Sequence, residues 1–223
     1  MKPRLDREVI AMRIAMEIKP NEVVNLGVGI GTLVANYVPR DQGVIMHSET
    51  GAFGFGLVLH EGQEDLMDYH LIDAGGHFVT SMPGLCFGDT AEAFDAVHIG
   101  RVTTTVLGAY QVSEYGDLAN WTKEAEGAWG SVGGAMDMTT AKRVIVGMEH
   151  VTKQGQPKIV GKCTYALTGK KCVDLIVTDL AVMEVTKDGL LLREIAPGWD
   201  VEEVTAMTEP TFLIDKDLRE IKL

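Results

Sequence analysis

Cysteine is scarce in this sequence of 223 residues. Cys86, Cys163 and Cys172 are the three present, and no two of them form a C-x-x-C pair. An odd number of cysteines without such a pair indicates neither a disulfide framework nor a zinc knuckle. We expect all three thiols to be buried and unreactive.

Positive charge is also in short supply. The chain has 20 Lys and Arg residues against 32 Asp and Glu residues, which gives a formal net charge of −12. Binding to a phosphate backbone depends on clustered Lys and Arg side chains. This charge balance therefore disfavours nucleic acid as a partner.

Long apolar runs are missing as well. No run approaches the roughly 18 residues that a bilayer-spanning helix needs. The opening residues MKPRLDREVI mix basic and acidic side chains, so they lack the apolar core of a signal peptide. We therefore expect no membrane partner and a cytoplasmic location.

Several catalytic motifs do not occur. The sequence contains no H-E-x-x-H, G-x-S-x-G or G-x-x-x-x-G-K-[ST] pattern, which disfavours a metalloprotease, an α/β-hydrolase and a P-loop enzyme. The six histidines have no ligand spacing, and we expect the acids of HEGQEDLMD to form a solvated face. No bound metal is predicted.

The first predicted element is a helix over residues 6–18. Ile10, Ile14 and Ile18 recur every four residues, which places them on one buried face. Asp6 is suited to cap this helix, and Pro20 is expected to end it.

Strands and helices alternate along the rest of the chain. EVVNLGVGIGTLVANYV is typical of a strand, a glycine-rich turn and a helix, and TAEAFDAV predicts another helix. VTTTVLGA and RVIVGM predict strands, and DLIVTDLAVMEVTKDGLLLREI predicts strands with a turn at KDG. We predict one open α/β domain over 1–223, with a mostly parallel sheet, flanking helices and some antiparallel strands near the C-terminus.

The first glycine cluster consists of Gly27, Gly29 and Gly31, between a predicted strand and a predicted helix. Backbone N–H groups at such a turn can approach an anion closely. A tight turn that merely needs small residues explains the cluster equally well. Both interpretations are open from the local sequence.

Glu49 is the isolated acid of interest. It follows the apolar run GVIM and precedes Gly51, Gly54 and Gly56. A carboxylate at the carboxyl end of a strand, facing a glycine-rich loop, lies where open α/β sheets bind ligands. A solvated glutamate at the start of a loop is the alternative. His47 lies two residues before Glu49, so in an extended chain the two side chains point the same way. His47 is either a substrate contact or a hydrogen-bonded structural histidine.

A further glycine cluster precedes another predicted helix. Gly130, Gly133 and Gly134 offer backbone donors for an oxyanion hole or an anion site. A packing requirement is the competing explanation.

The same residues also fit a dinucleotide-binding enzyme. Gly27, Gly29 and Gly31 follow a strand, and Glu49 lies about 20 residues further on, as in a Rossmann turn of an NAD-dependent oxidoreductase. The third glycine of that motif would fall at Thr32, and the later glycine clusters stay unexplained. This is the alternative function.

Several segments resemble, in order, the β subunit of the family I coenzyme A transferases, the succinyl-CoA:3-oxoacid and acetate/acetoacetate group. The resemblance covers nearly the whole chain. The matching segments are NLGVGIGTLVANYV, SETG with its continuation GAFGFG, GGAMDMTTAKRVIVGMEHVTKQGQPKIVGKC, and LTGKKCVDLIVTDLAV.

The resemblance implies residue roles. Glu49 takes the position of the family's catalytic glutamate, flanked by Ser48 and Gly51. Asn25 and the Gly133-Gly134 backbone would lie close to the reacting thioester. The residues expected to contact substrate or coenzyme A, or to form the oxyanion site, are Asn25, Gly27, Gly29, Gly51, Gly133 and Gly134.

The chain departs from the family pattern at three places. Thr50 replaces an asparagine, Gly31 stands where a proline is frequent, and YALTG at 165–169 stands where the family has L-P-L-T-G. These departures leave the reaction class intact and the acyl preference open.

The resemblance further implies ping-pong transfer of coenzyme A among small acids such as acetate, butyrate and acetoacetate or another 3-oxoacid, through a glutamyl-CoA thioester. No metal or redox cofactor is needed, because the coenzyme A thioester is a substrate. Ala52, Phe53 and Phe55 beside Glu49 are suited to exclude water, although packing alone would explain them. A separate α subunit is expected, in an α2β2 heterotetramer.

Overall fold

The protein is described by a computed structural model over residues 2–123 and 133–223. In chain order the strands are β1 (Val23–Leu26), β2 (Ile45–His47), β3 (Ala52–Val58), β4 (Val79–Phe87), β5 (Thr104–Leu107), β6 (Gln111–Ser113), β7 (Leu118–Ala119), β8 (Arg143–Met148), β9 (Ile159–Val160), β10 (Leu175–Thr178), β11 (Ala181–Thr186), β12 (Gly189–Ile195) and β13 (Leu213–Glu220). The α-helices are α1 (Arg7–Ala15), α2 (Ile30–Leu33), α3 (Thr90–His98), α4 (Ala135–Met138) and α5 (Val201–Ala206). Short 3₁₀ turns cover Val34–Asn36, Arg40–Gln42 and Glu64–Leu66.

Ten strands form one sheet in the order β13-β12-β11-β10-β8-β5-β1-β2-β3-β4, and β7-β6-β9 form a small second sheet. The centre is parallel, since β1 pairs in parallel with β2 and β5, and β8 with β5 and β10. The strands β10, β11 and β12 pair antiparallel. The predicted open α/β fold with antiparallel strands near the C-terminus is confirmed.

A second antiparallel region was not predicted. β3 pairs antiparallel with β2 and β4, so AFGFG belongs to a strand and is not the loop that the sequence suggested. Its glycines have local causes. Gly54 has a φ of 84° where the register shifts, and a methyl group on Gly56 would lie 2.3 Å from Oγ1 of Thr80.

The central strands are buried on both faces. On β8, Ile145 packs into a hydrophobic cluster with α1 and α2, whereas Val144 and Val146 pack into another cluster with α3 and α5. Successive side chains of a strand point to opposite faces. The sheet therefore separates two hydrophobic cores, and its central strand β8 is covered on each side.

Helix α1 begins as predicted but ends early. The Asp6 carboxylate accepts a hydrogen bond from the backbone N–H of Val9 at 2.8 Å, and Ile10, Ile14 and Ile18 are buried. The prediction that Pro20 ends the helix is wrong. The helix ends at Ala15, because the N–H groups of Glu17 and Ile18 bond three residues back in a tightened turn.

The cysteines are all less buried than expected. Cys163 and Cys172 are half-buried, and burial raises the pKa of each thiol to about 11. Cys86 is exposed on the edge strand β4. The acids of HEGQEDLMD are exposed, as predicted. No helix in the described ranges combines the length and the apolar character needed to cross a membrane.

Candidate active site

The carboxyl ends of the parallel strands β1, β2, β5 and β8 face a cavity of about 520 Å³. This is the edge at which open α/β sheets bind ligands, and the volume is typical of a small-molecule site. The described residues that border the cavity are Arg7, Gly27, Val28, Gly29, Ile30, Glu49, Leu107, Gly108, Ala109, Tyr110, Asn120, Gly133, Gly134, Ala135, Gly147, Met148 and Glu149.

Glu49 borders this cavity from the turn after β2, where its side chain is half-buried. The backbone N–H of Gly134 donates a hydrogen bond to its carboxylate. A methyl group on Gly134 would lie 2.3 Å from Oε2 of Glu49 and 2.5 Å from Cζ of Phe94. A side chain at position 134 would therefore have to displace the Glu49 carboxylate and the Phe94 ring.

The surroundings of Glu49 favour its protonated form. Burial raises the pKa of the carboxyl group above its ordinary value, and the nearby charge of Asp137 adds to the effect. The hydrogen bond from Gly134 acts in the opposite direction without cancelling it. A carboxylate with a raised pKa is a stronger nucleophile once ionised, and perturbed carboxyls of this kind cluster at functional sites.

Asn25 and His47 belong to a buried hydrogen-bond chain. The Thr105 hydroxyl donates to Oδ1 of Asn25 at 2.8 Å, and Nδ2 of Asn25 lies 3.2 Å from Nδ1 of His47. Nε2 of His47 lies 3.0 Å from the carbonyl oxygen of Ala93. Burial lowers the pKa of His47, so neutral imidazole accepts from Asn25 and donates to Ala93. His47 is the structural histidine of the two interpretations, and Asn25 is not among the described residues that border the cavity.

The first glycine cluster is explained mainly by packing. The Gly27 N–H donates to the carbonyl oxygen of Val106 at 2.8 Å. Methyl groups on Gly27 and Gly31 would each lie 2.9 Å from that same oxygen. Gly29 has a φ of 101°, which favours glycine. Gly27 and Gly29 border the cavity. The Gly27 N–H is already hydrogen-bonded, however, and α2 has only four residues. Both facts weaken the case for an anion site and for a dinucleotide-binding turn at these glycines.

The other glycines predicted for the site divide into two groups. Gly51 does not border the cavity; it has a φ of 92°, and a methyl group there would lie 2.1 Å from the carbonyl oxygen of Gly88. Its place is to turn the chain from β2 into β3. Gly133 borders the cavity beside Gly134, and a methyl group on it would meet no described atom within 4 Å. Gly130 lies outside the described residues.

The apolar side chains after Glu49 serve packing. Ala52 and Phe55 are buried in the hydrophobic cluster below α1 and α2, and Phe53 stacks edge-on against His47. None of the three borders the cavity. The described residues contain no group of His, Cys, Asp and Glu side chains that could hold a metal ion.

Sequence reasoning missed Arg7 and Glu149, which border the cavity. Glu149 directly follows β8, as an acid at the end of a parallel strand, and this signal was available in RVIVGMEH. Burial by itself would raise the pKa of Glu149, but its backbone hydrogen bond and the Lys158 ammonium, 3.4 Å from Oε2, bring it below the ordinary value. Arg7 has no local signal, because only the fold brings α1 to the cavity.

Comparison with known proteins identifies related sequences. A family model described as coenzyme A transferase matches residues 7–207. The chain is 44% identical over 211 residues to one subunit of the 3-oxoadipate CoA-transferase from Acinetobacter baylyi, covering 94% of this chain and 96% of that protein. It is 43% identical over 223 residues to the mitochondrial succinyl-CoA:3-ketoacid coenzyme A transferase 2B of Mus musculus, covering 97% of this chain and 42% of that protein.

Solved structures show the same fold at low sequence identity. An acyl-CoA transferase from E. coli O157:H7 superposes with a TM-score of 0.73 at 22% identity, over 100% of this chain and 44% of that chain. Glutaconate coenzyme A-transferase from Acidaminococcus fermentans superposes with a TM-score of 0.72 at 17% identity, over 97% of this chain and 88% of that chain. The chain thus spans less than half the length of the mouse and E. coli proteins.

Proposed function

The chain belongs to the coenzyme A transferase family. We propose that Glu49 carries coenzyme A as a thioester between two half-reactions. The observation that supports the proposal best is the contact of the Glu49 carboxylate with the Gly134 backbone at the cavity. The proposed enzyme moves coenzyme A from an acyl-CoA to a small carboxylate such as acetate, butyrate, acetoacetate or another 3-oxoacid.

The first half-reaction has two steps. A carboxylate oxygen of Glu49 attacks the thioester carbonyl of the acyl-CoA, and the C–S bond breaks to give a mixed anhydride and the coenzyme A thiolate. The thiolate then attacks the Glu49 carbonyl of the anhydride, which releases the free acid and leaves a glutamyl-CoA thioester. An acceptor carboxylate reverses both steps, so the kinetics are ping-pong.

The environment of Glu49 suits this chemistry. The raised pKa of the carboxyl group makes its ionised form more nucleophilic. When the thiolate attacks the Glu49 carbonyl, the N–H of Gly134 already lies beside an oxygen that gains charge. One such donor contributes roughly 3 kcal/mol to the stabilisation of an oxyanion. No redox step or strong base is required, and the coenzyme A thioester enters as substrate.

We further propose that a separate α subunit completes the site, in an α2β2 heterotetramer. The Acinetobacter relative is named as one subunit of its enzyme, and the mouse relative is more than twice the length of this chain. At the cavity, the side chain of Val28 is 61% exposed. A covering subunit would bury it and exclude water, which would hydrolyse the anhydride and the thioester.

The test is a transferase assay of this chain purified alone and after co-expression with its partner subunit. We expect acyl-CoA-dependent formation of a new CoA thioester, with parallel lines in double-reciprocal plots, by the assembly only. Robust turnover by the chain alone would refute the need for a partner. Saturable NAD binding without transferase activity would favour the oxidoreductase alternative.

A further inference from the structure

Arg7 is the one cationic side chain among the described residues that border the cavity. It is exposed and stands at the first position of α1. Its Nη2 lies 3.2 Å from the point where a Cβ of Gly29 would be. The missing side chain at Gly29 therefore gives the guanidinium room against the turn after β1.

Among the described residues, the guanidinium of Arg7 has no hydrogen-bond or ion-pair partner. By contrast, Arg13 is held by Glu17 and Glu194, and Arg143 is held by Glu17. Arg7 thus differs from Arg13 and Arg143 in that no described carboxylate pairs with it at the cavity.

Arg7 and Glu49 reach the same cavity from different elements, Arg7 from the first position of α1 and Glu49 from the turn after β2. The charge of Arg7 acts on Glu149, at the end of β8. The groups that act on Glu49 are Gly134 and Asp137. Because both side chains border one cavity of about 520 Å³, a substrate whose reacting carbonyl lies at Glu49 can extend toward the arginine within it.

We propose that Arg7 binds a second carboxylate on the acyl group, so that the acids served by this enzyme are dicarboxylic. A guanidinium fork matches a carboxylate with two parallel hydrogen bonds. A monocarboxylic acyl group would leave those donors without a partner. The names of two relatives, for 3-oxoadipate and succinyl-CoA, both contain dicarboxylic acids. This inference rests on the proposed function and narrows its acids to dicarboxylic ones such as 3-oxoadipate, which leaves out acetate, butyrate and acetoacetate.

A phosphate group of coenzyme A has the same chemistry, so the test must separate the two anions. In ping-pong kinetics, kcat/KM for the acceptor describes only the half-reaction that starts from the glutamyl-CoA thioester. The enzyme assembled with its partner subunit is assayed with 3-oxoadipate and with 3-oxohexanoate. These acceptors have the same chain length and differ in a terminal carboxylate against a methyl group.

The measured quantity is the ratio of the two kcat/KM values, which does not depend on the fraction of folded enzyme. The wild-type assembly is expected to prefer 3-oxoadipate. Arg7→Gln should lower kcat/KM for 3-oxoadipate about tenfold to a hundredfold and change the value for 3-oxohexanoate by less than about twofold. Arg7→Lys should restore part of the loss. Arg101→Gln, which removes an exposed charge that does not border the cavity, should preserve the ratio.

An equal loss with both acids would overturn the inference and assign Arg7 to a phosphate of coenzyme A. No loss with either acid would overturn it as well. Wild-type transfer to 3-oxohexanoate but not to 3-oxoadipate would refute the dicarboxylic class and leave the proposed function standing. Transfer to neither of these acids, nor to acetate, butyrate or acetoacetate, would refute the proposed function itself.

Discussion

The carboxylate of Glu49 lies directly against the backbone of Gly134. A Cβ on Gly134 would stand 2.3 Å from Oε2, and the Gly134 N–H donates to the carboxylate. Glu49 comes from the turn after β2 and Gly134 from the residue before α4. Two distant parts of the chain thus build one side of the cavity.

The first prediction concerns this contact. Gly134→Ala should lower kcat about a hundredfold, because its methyl group must displace the carboxylate by a distance on the order of 1 Å. Steady-state kinetics of the assembled enzyme measures the loss. Gly161→Ala is the matched control, since its methyl group would meet described atoms only at 3.6 Å or more. Equal activity of Gly134→Ala and the wild type would contradict the placement of Glu49.

The second prediction concerns the acid side of the pH profile. Glu49 must be ionised to attack, and burial raises its pKa above 4.5. We expect kcat/KM to fall as the pH is lowered through a value above 4.5. Asp137→Asn should move this limb to lower pH, because Asp137 is one of the groups that raise the pKa. If Asp137→Asn does not shift the acid limb of the kcat/KM profile, a group other than Glu49 controls that limb.

The third prediction concerns stability. A carboxyl group whose pKa is higher in the folded state than in the unfolded state stabilises the fold when it is protonated. This contribution to stability is fully present below the unfolded-state pKa, and it is lost as the pH rises through the folded-state pKa. Glu49→Gln keeps an acceptor for the Gly134 N–H and removes the charge. We expect a higher Tm than wild type at about pH 7 and a difference that disappears below about pH 4. Thermal unfolding, followed by circular dichroism at both pH values, measures this difference in Tm. A lower Tm for Glu49→Gln than for the wild type near neutral pH would contradict a destabilising charge at Glu49.

The fourth prediction concerns the ion pairs that Glu194 forms with Arg13 and Arg219. Glu194 is buried and accepts hydrogen bonds from Arg13 and Arg219. Burial by itself would raise the pKa of Glu194, yet these hydrogen bonds bring it below its ordinary value. Glu194→Gln should lower the free energy of unfolding by about 3 kcal/mol near neutral pH, since it leaves the buried Arg13 partly uncompensated. This difference should shrink as the pH falls below 4.5 toward the depressed pKa.

Urea denaturation measures this loss, with Glu184→Gln as the control. Glu184 pairs with Arg193 at the surface, where their side chains are 40% and 45% exposed. Exposed pairs contribute about 0 to 1 kcal/mol. Equal losses of stability in the two variants would show that the buried network contributes no more than a surface pair.

Local patterns predicted much of the fold. The Asp6 cap, the isoleucine face of α1 and the strands β10 to β12 follow from short-range spacing and turn residues, which act within a few positions. The position of Glu49 at the carboxyl end of β2 followed in the same way. The strand that contains AFGFG did not, because its pairing with β4 depends on a distant segment of the chain.

The composition of the site was harder to predict. The resemblance named Asn25 and Gly51, but the first is engaged in hydrogen bonds within the sheet and the second shapes a turn. Arg7 and Glu149 were missed, since their arrival at the cavity depends on how α1 and β8 pack against the other strands. Contacts between distant segments have no signature in spacing alone.

The most direct test of the proposed chemistry is to trap the covalent intermediate. The assembled enzyme is incubated with acyl-CoA and treated with borohydride or hydroxylamine, and the modified residue is mapped by mass spectrometry. We predict modification at Glu49, retained in Glu149→Gln and lost in Glu49→Gln. Modification at Glu149 or any other residue, or none in an enzyme that turns over, would contradict the claim that Glu49 carries coenzyme A.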